Sequence, residues 1–99
     1  MTVMSKEEKQ AIIAEYRRSD SDVGSPEVQI ALLTKRINVL TQHMKANKKD
    51  FSTRRGLIQM VERRRRHLLY LYKTDKTRYV EIVKRLGLRA LSQDRAQQR

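Results

Sequence analysis

Apolar residues in this chain recur every third or fourth position and do not alternate, which is the periodicity of amphipathic helices and not of strands. The clearest case runs from Ile30 through Leu33, Ile37 and Leu40 to Met44, the seam spacing of a helix packed against neighbours. Ser25-Pro26-Glu27 stands just ahead of it. Serine can cap, proline fits the first turn, and glutamate suits the positive end of the dipole, so a long second helix is predicted to start at Pro26.

The same reading finds three more helices. Ser5-Lys6-Glu7-Glu8 is a capping box, followed by a short apolar face of Ile12, Ile13 and Tyr16, with Arg17 and Arg18 suited to the helix end. Alone this helix is marginal, so it is expected to be the mobile element of the fold. Residues 19–25 hold Asp, Ser and Gly and read as a loop. Ala46 to Asp50 interrupts the second seam, and Asp50 can cap a third helix reaching about Tyr72. The short connection makes the second and third helices antiparallel neighbours. Thr74-Asp75 begins a fourth, with Tyr79, Ile82, Val83 and Leu86 on one side and Gly87 as a left-handed cap. After Gly87 little is expected to hold the chain, and residues 90–99 read as a flexible tail. The fold class is therefore all-α: one domain over residues 1–99, an antiparallel three-helix core with a mobile N-terminal helix.

Composition sharpens this. Leu, Ile, Val and Phe number 24 of 99 residues, enough for a narrow core only. The formal charge is +12 and it is unevenly placed. Up to Leu33 the balance is four basic against six acidic residues, whereas from Thr34 onward it is nineteen against five. Such an excess is the electrostatic footprint of a nucleic-acid binder. The absence of cysteine excludes disulfides, thiolate catalysis and zinc-finger sites. Apolar runs are far shorter than the roughly 20 residues that span a bilayer, and no secretory signal is visible, so a cytoplasmic address is expected.

Arg63, Arg64, Arg65 and Arg66 form an unbroken run in the third helix. At about 100° per residue Gln59, Arg63, Arg66, Tyr70 and Lys73 share one stripe, while Leu57, Val61, Leu68, Leu71 and Tyr72 share the opposite side. Arg64 and Arg65 are expected to lay their stems beside the core and send their heads to solvent. The run reads either as a solvated face or as a phosphate-binding edge. Only Glu62 is acidic nearby, and the rest of the chain adds to the excess, which favours phosphate. On the second helix Gln29, Arg36 and His43 stand seven apart on one row, the outer two about 21 Å from each other at ~1.5 Å per residue. On spacing alone Gln29 and His43 are ordinary surface residues. Asp50 and Thr53 lie in a loop rich in cations and hydroxyls, where a carboxylate serves either as a helix cap or as an acceptor for a base amino group.

The stretches Gly24-Ser25-Pro26-Glu27-Val28-Gln29-Ile30-Ala31-Leu32-Leu33-Thr34, His43, Lys48-Lys49-Asp50, Arg54-Arg55-Gly56-Leu57, Arg63-Arg64-Arg65, Tyr70-Leu71, Arg78-Tyr79 and Arg85-Leu86-Gly87-Leu88-Arg89 resemble, in order, the bacterial small-subunit ribosomal protein S-fifteen family. The resemblance implies a four-helix protein that binds a three-way junction of small-subunit rRNA and an adjoining helix early in assembly. It implies that Gly24 and Gln29, with Arg66, Tyr70 and Lys73, grip the junction, and that His43, Asp50 and Thr53 read a shallow groove holding a G·U beside a G·C pair. The partners it implies are small-subunit rRNA, neighbouring small-subunit proteins, large-subunit rRNA across an intersubunit bridge and, in some members, their own messenger RNA. Four positions depart from the family's usual residues: Val23 and Pro26 stand for threonine, Thr53 for serine and Lys73 for arginine.

The RNA-binding residues expected are thus Gly24, Gln29, Arg36, His43, Asp50, Thr53, Arg63, Arg66, Tyr70 and Lys73, in a protein that is monomeric when free and ribosome-bound in the cell. A helix-turn-helix DNA reader is the competing class, but it needs its base-reading side chains at a helix N-terminus. Catalysis is not expected, nor any metal or cofactor, because the two histidines, His43 and His67, sit in unlike contexts and no glycine-rich phosphate loop is present.

Overall fold

A computed structural model describes residues 4–19 and 24–91. The order is α1 (Lys6–Tyr16), α2 (Pro26–Ala46), α3 (Phe51–Thr74) and α4 (Lys76–Leu86), with no strand among the described residues. Each start is capped as its local sequence predicts. The Ser5 hydroxyl accepts from the Glu8 amide at 3.1 Å, Ser25 from Val28 at 3.4 Å, Asp50 from Thr53 at 3.1 Å and Asp75 from Arg78 at 3.3 Å. Asp75 ends α3 and starts α4 with one residue, so the chain turns there without a linker. Gly87 closes α4 at φ +63°, a conformation that costs a side-chain-bearing residue about 1 kcal/mol or more.

α2 is the central element, with α3 antiparallel to it, α1 against another face and α4 bridging back from α3. This explains why Ile30, Ala31, Leu32, Leu33 and Thr34 are all buried although the seam spacing asked only for Ile30 and Leu33. Packing on several sides buries the whole circumference. The main cluster joins Ile30, Leu68, Leu71, Tyr79, Ile82 and Leu91, with Tyr16 of α1 and Tyr72 packed against it. Tyr72 meets Tyr79 edge to face at 5.3 Å.

Arg17 is the C-cap of α1, at the negative end of its dipole, and three expectations need correction. Val61 is not core: it is 38% exposed, and the buried residues of α3 are Leu68 and Leu71, both in its second half. The Arg64 head is not left to solvent but donates to the Thr34 hydroxyl at 3.2 Å. The chain is also held past Gly87, since Leu91 is buried and its amide donates to the Tyr79 hydroxyl at 2.8 Å. Val23 and the greater part of the expected tail, residues 92–99, lie outside the described residues.

The molecule measures 38 × 37 × 17 Å. Its thin dimension is less than two helix diameters, so few side chains can be fully enclosed.

Candidate nucleic-acid interface

The α2–α3 hairpin has two ends, and the expected site residues divide between them. At the turn, Asp50 holds three partners at once. Its Oδ1 accepts from the Thr53 amide at 3.1 Å, and its Oδ2 accepts from the Thr53 hydroxyl at 2.7 Å and from His43 Nε2 at 2.9 Å. Because a carboxylate only accepts, His43 must carry its proton on Nε2, which leaves Nδ1 facing the Asn47 amide at 3.4 Å. These bonds, that from the Thr53 hydroxyl foremost, hold the Asp50 carboxyl down at about 2, well below its usual 3.8. His43, Asp50 and Thr53 are half-buried and form one rigid polar cluster. The cap and the acceptor readings of Asp50 are therefore compatible: one oxygen pair caps α3 and orients histidine, while Oδ1 keeps acceptor capacity.

At the open end, where Gly24 and Gln29 mark the start of α2, Glu27 ties that start to α4: its carboxylate accepts from Arg78 Nε at 2.6 Å and Nη2 at 2.5 Å in a two-point pair. That pair, first through its hydrogen bond, raises Arg78 above its ordinary value. Tyr70 is close enough to add to the same upward shift. Tyr70 is 56% exposed, and Arg63, Arg66 and Lys73 are exposed along its stripe. Gly24 is exposed with nothing within 4 Å of where a side chain would begin. Arg36 lies half-buried between the two ends, on the row joining Gln29 to His43.

Residues 9–89 match the family described as Ribosomal protein S15. The chain is 57% identical to small ribosomal subunit protein uS15 of Lysinibacillus sphaericus over 86 residues, which cover 87% of this chain and 97% of that protein. The uS15 protein of Aquifex aeolicus is 53% identical over 87 residues, covering 88% of this chain and 97% of its own length. That of Pseudarthrobacter chlorophenolicus is 58% identical over 81 residues, covering 82% and 91%. The chain belongs to the ribosomal protein S15 family.

Members of this family are structural and not enzymatic. The described residues include no group of side chains able to hold a metal ion. Sequence reasoning missed two features of this S15 domain. Glu27 suits the helix dipole by its local position, yet it anchors α4 from 51 residues away in sequence, a pairing that no local spacing reveals. Phe51, 61% exposed beside Asp50 with the Arg54 guanidinium 5.7 Å from its ring centre, adds an aromatic to the turn.

Proposed function

We propose that the protein is a structural component of the small ribosomal subunit that binds a three-way junction of its rRNA and fixes the angle between the helices that meet there. The observation that carries this reading is the division of the polar face into two patches at opposite ends of one rigid α2–α3 hairpin. A ruler of about 21 Å from Gln29 to His43 selects RNA whose two contact points are held at that separation.

Each patch has chemistry suited to RNA. At the turn, the remaining acceptor capacity of Asp50 suits the exocyclic amino group of guanine, the one donor that a base presents in a shallow minor groove, and the Thr53 oxygen can still accept from a 2′-hydroxyl. At the open end, Arg66 and Lys73 contribute charge to phosphates, Tyr70 offers a ring and a hydroxyl, and Gly24 lets backbone approach closely. Lys73 supplies charge without the two-point fork of arginine. Holding the junction makes later assembly sites available, and the remaining surface supports contacts with neighbouring proteins, with large-subunit rRNA across a bridge, or with the protein's own messenger. The protein accordingly works on the ribosome in the cytoplasm, and none of the described helices is long and apolar enough to cross a membrane.

The test is competition between a three-way-junction RNA and a DNA duplex of equal length. The junction should win by at least about 1,000-fold at physiological salt, near the low end of specific over non-specific ratios. Parity would remove the junction reading.

A further inference from the structure

Asp50 alone does not fix the charge of His43. Its carboxylate requires a proton on Nε2, 2.9 Å from Oδ2, but that demand is met both by the neutral ring and by the imidazolium, which carries protons on both nitrogens. The group at Nδ1 decides between the two forms. That nitrogen faces Nδ2 of Asn47 at 3.4 Å. The two ends of the Asn47 amide are not interchangeable here, because the same Nδ2 lies 2.9 Å from the His43 carbonyl oxygen, which only accepts. A donor therefore stands in place, and its second hydrogen serves the ring.

Asn47 is itself held. It is the C-cap of α2, where its backbone amide donates to the His43 carbonyl at 3.1 Å and its own carbonyl accepts from the Asp50 amide at 3.1 Å. Among the described residues, the ring's hydrogen-bond partners are thus Asn47 at the end of α2 and Asp50 ahead of α3. A proton on Nδ1 would set donor against donor and force the amide to turn, giving up its bond to the carbonyl. At 3.4 Å the contact from Asn47 to the ring adds little stability, so what it contributes is the choice of form.

We propose that Asn47 is a positioning residue for RNA contact at the turn: it keeps His43 neutral with its proton on Nε2, and so leaves Asp50 a fully charged acceptor for a guanine amino group. Donation then runs one way, from Asn47 through the ring to Oδ2, where the Thr53 hydroxyl joins at 2.7 Å. A neutral ring orients the carboxylate without cancelling its charge, and an acceptor that keeps its charge makes the stronger bond. An imidazolium would form an ion pair instead, and the turn would favour phosphate, which carries no sequence information. Asn47 thereby tunes the turn to base identity. The inference rests on the junction-binding reading, and the experiment keeps the two apart.

The full-length protein is titrated with two junction RNAs, one with guanine in the G·U and G·C pairs of the shallow groove and one with inosine there, which lacks the amino group. The parent should prefer guanine by about tenfold, the discrimination that one good base contact gives. Asn47→Asp keeps the side chain's shape but puts an acceptor where the donor stood, and loss of the charge assistance, which roughly halves the contact's strength, should leave a preference of about threefold. Asn47→Ala, which removes the donor and adds no acceptor, should lie between the two, and it replaces the aspartate variant in the comparison if that variant loses helical circular dichroism. Tyr70→Ala should weaken both RNAs alike and keep the parent's preference. Nitrogen-15 spectra of His43 near neutral pH supply a reading that a merely structural role would not move: one protonated and one bare ring nitrogen in the parent, both protonated in Asn47→Asp. A protonated Nδ1 in the parent, ring nitrogens unchanged by the substitution, or a guanine preference that is absent from the parent or equal in parent and variant would each overturn the inference. If neither RNA binds the parent, the proposed function falls, and the nitrogen spectra alone then decide whether Asn47 sets the form of His43.

Discussion

Single side chains in this protein often hold two offices, and Asp50 is the clearest. It caps α3, fixes the proton on His43 and keeps acceptor capacity on Oδ1. Its carboxyl sits at about 2 when folded against 3.8 for the free group, so the unfolded chain binds the proton more readily. The stabilisation is thus fully present above about pH 4 and is lost as pH falls from there through about 2. Thr53→Val removes the largest cause of the depression while leaving the backbone bond, so the Asp50 carboxyl should move up toward 3.8 in a carboxyl-carbon NMR titration. An unmoved value would show that the hydroxyl does not contribute. Tyr70 carries no such structural duty, being more than half exposed. Tyr70→Ala should weaken junction RNA by about tenfold or more, given roughly 1–3 kcal/mol for a stacked aromatic, with helical circular dichroism unchanged. Parallel losses of affinity and helix content would assign the ring to folding instead.

Between elements, the decisive contact is the Glu27–Arg78 pair, which ties the first turn of α2 to α4. Both side chains are largely shielded, at 13% and 21% exposure. Removing one leaves the other partly desolvated and alone, so Arg78→Ala should cost about 2–4 kcal/mol in chemical denaturation, and Glu27→Ala a similar amount. Glu27→Ala with Arg78→Ala together should cost clearly less than the sum, and additive losses would mean that the two act separately. The same pair joins the start of α2 to α4, so on the proposed junction-binding reading either single variant should also weaken binding of junction RNA. α1 docks by lighter means: Lys35 to Glu8 at 3.9 Å, and the Arg85 guanidinium over the Tyr16 ring at 4.2 Å while donating to the Glu15 carbonyl. With no buried residue of its own, α1 is the element that hydrogen exchange should release first. Protection of α1 amides equal to those of α2 would contradict this.

For the molecule as a whole, a charge of +12 on so thin a body sets both affinity and stability. Junction binding should fall steeply with salt, as phosphate neutralisation releases counterions, and a slope near zero in a salt titration would remove electrostatics as the driving force. A polyanion should also raise the thermal midpoint of the protein, because it binds the folded form and relieves self-repulsion.

Much of this was legible in the residues themselves. Helix boundaries came through because Ser5, Ser25, Asp50, Asp75 and Gly87 act on groups within a few positions of themselves, and caps are local chemistry. The exposed stripe of Arg63, Arg66, Tyr70 and Lys73 followed from helical periodicity alone, and family membership followed from colinear motifs. What stayed hidden were contacts between residues far apart in sequence: Glu27 with Arg78, Arg64 with Thr34, Leu91 with Tyr79, and the burial of α2 on several sides. Periodicity states which face of a helix turns inward but not how many neighbours press on it. Sequence by itself therefore determined the elements and their sign of charge, whereas tertiary packing decided which arginines keep a free head and where the core ends.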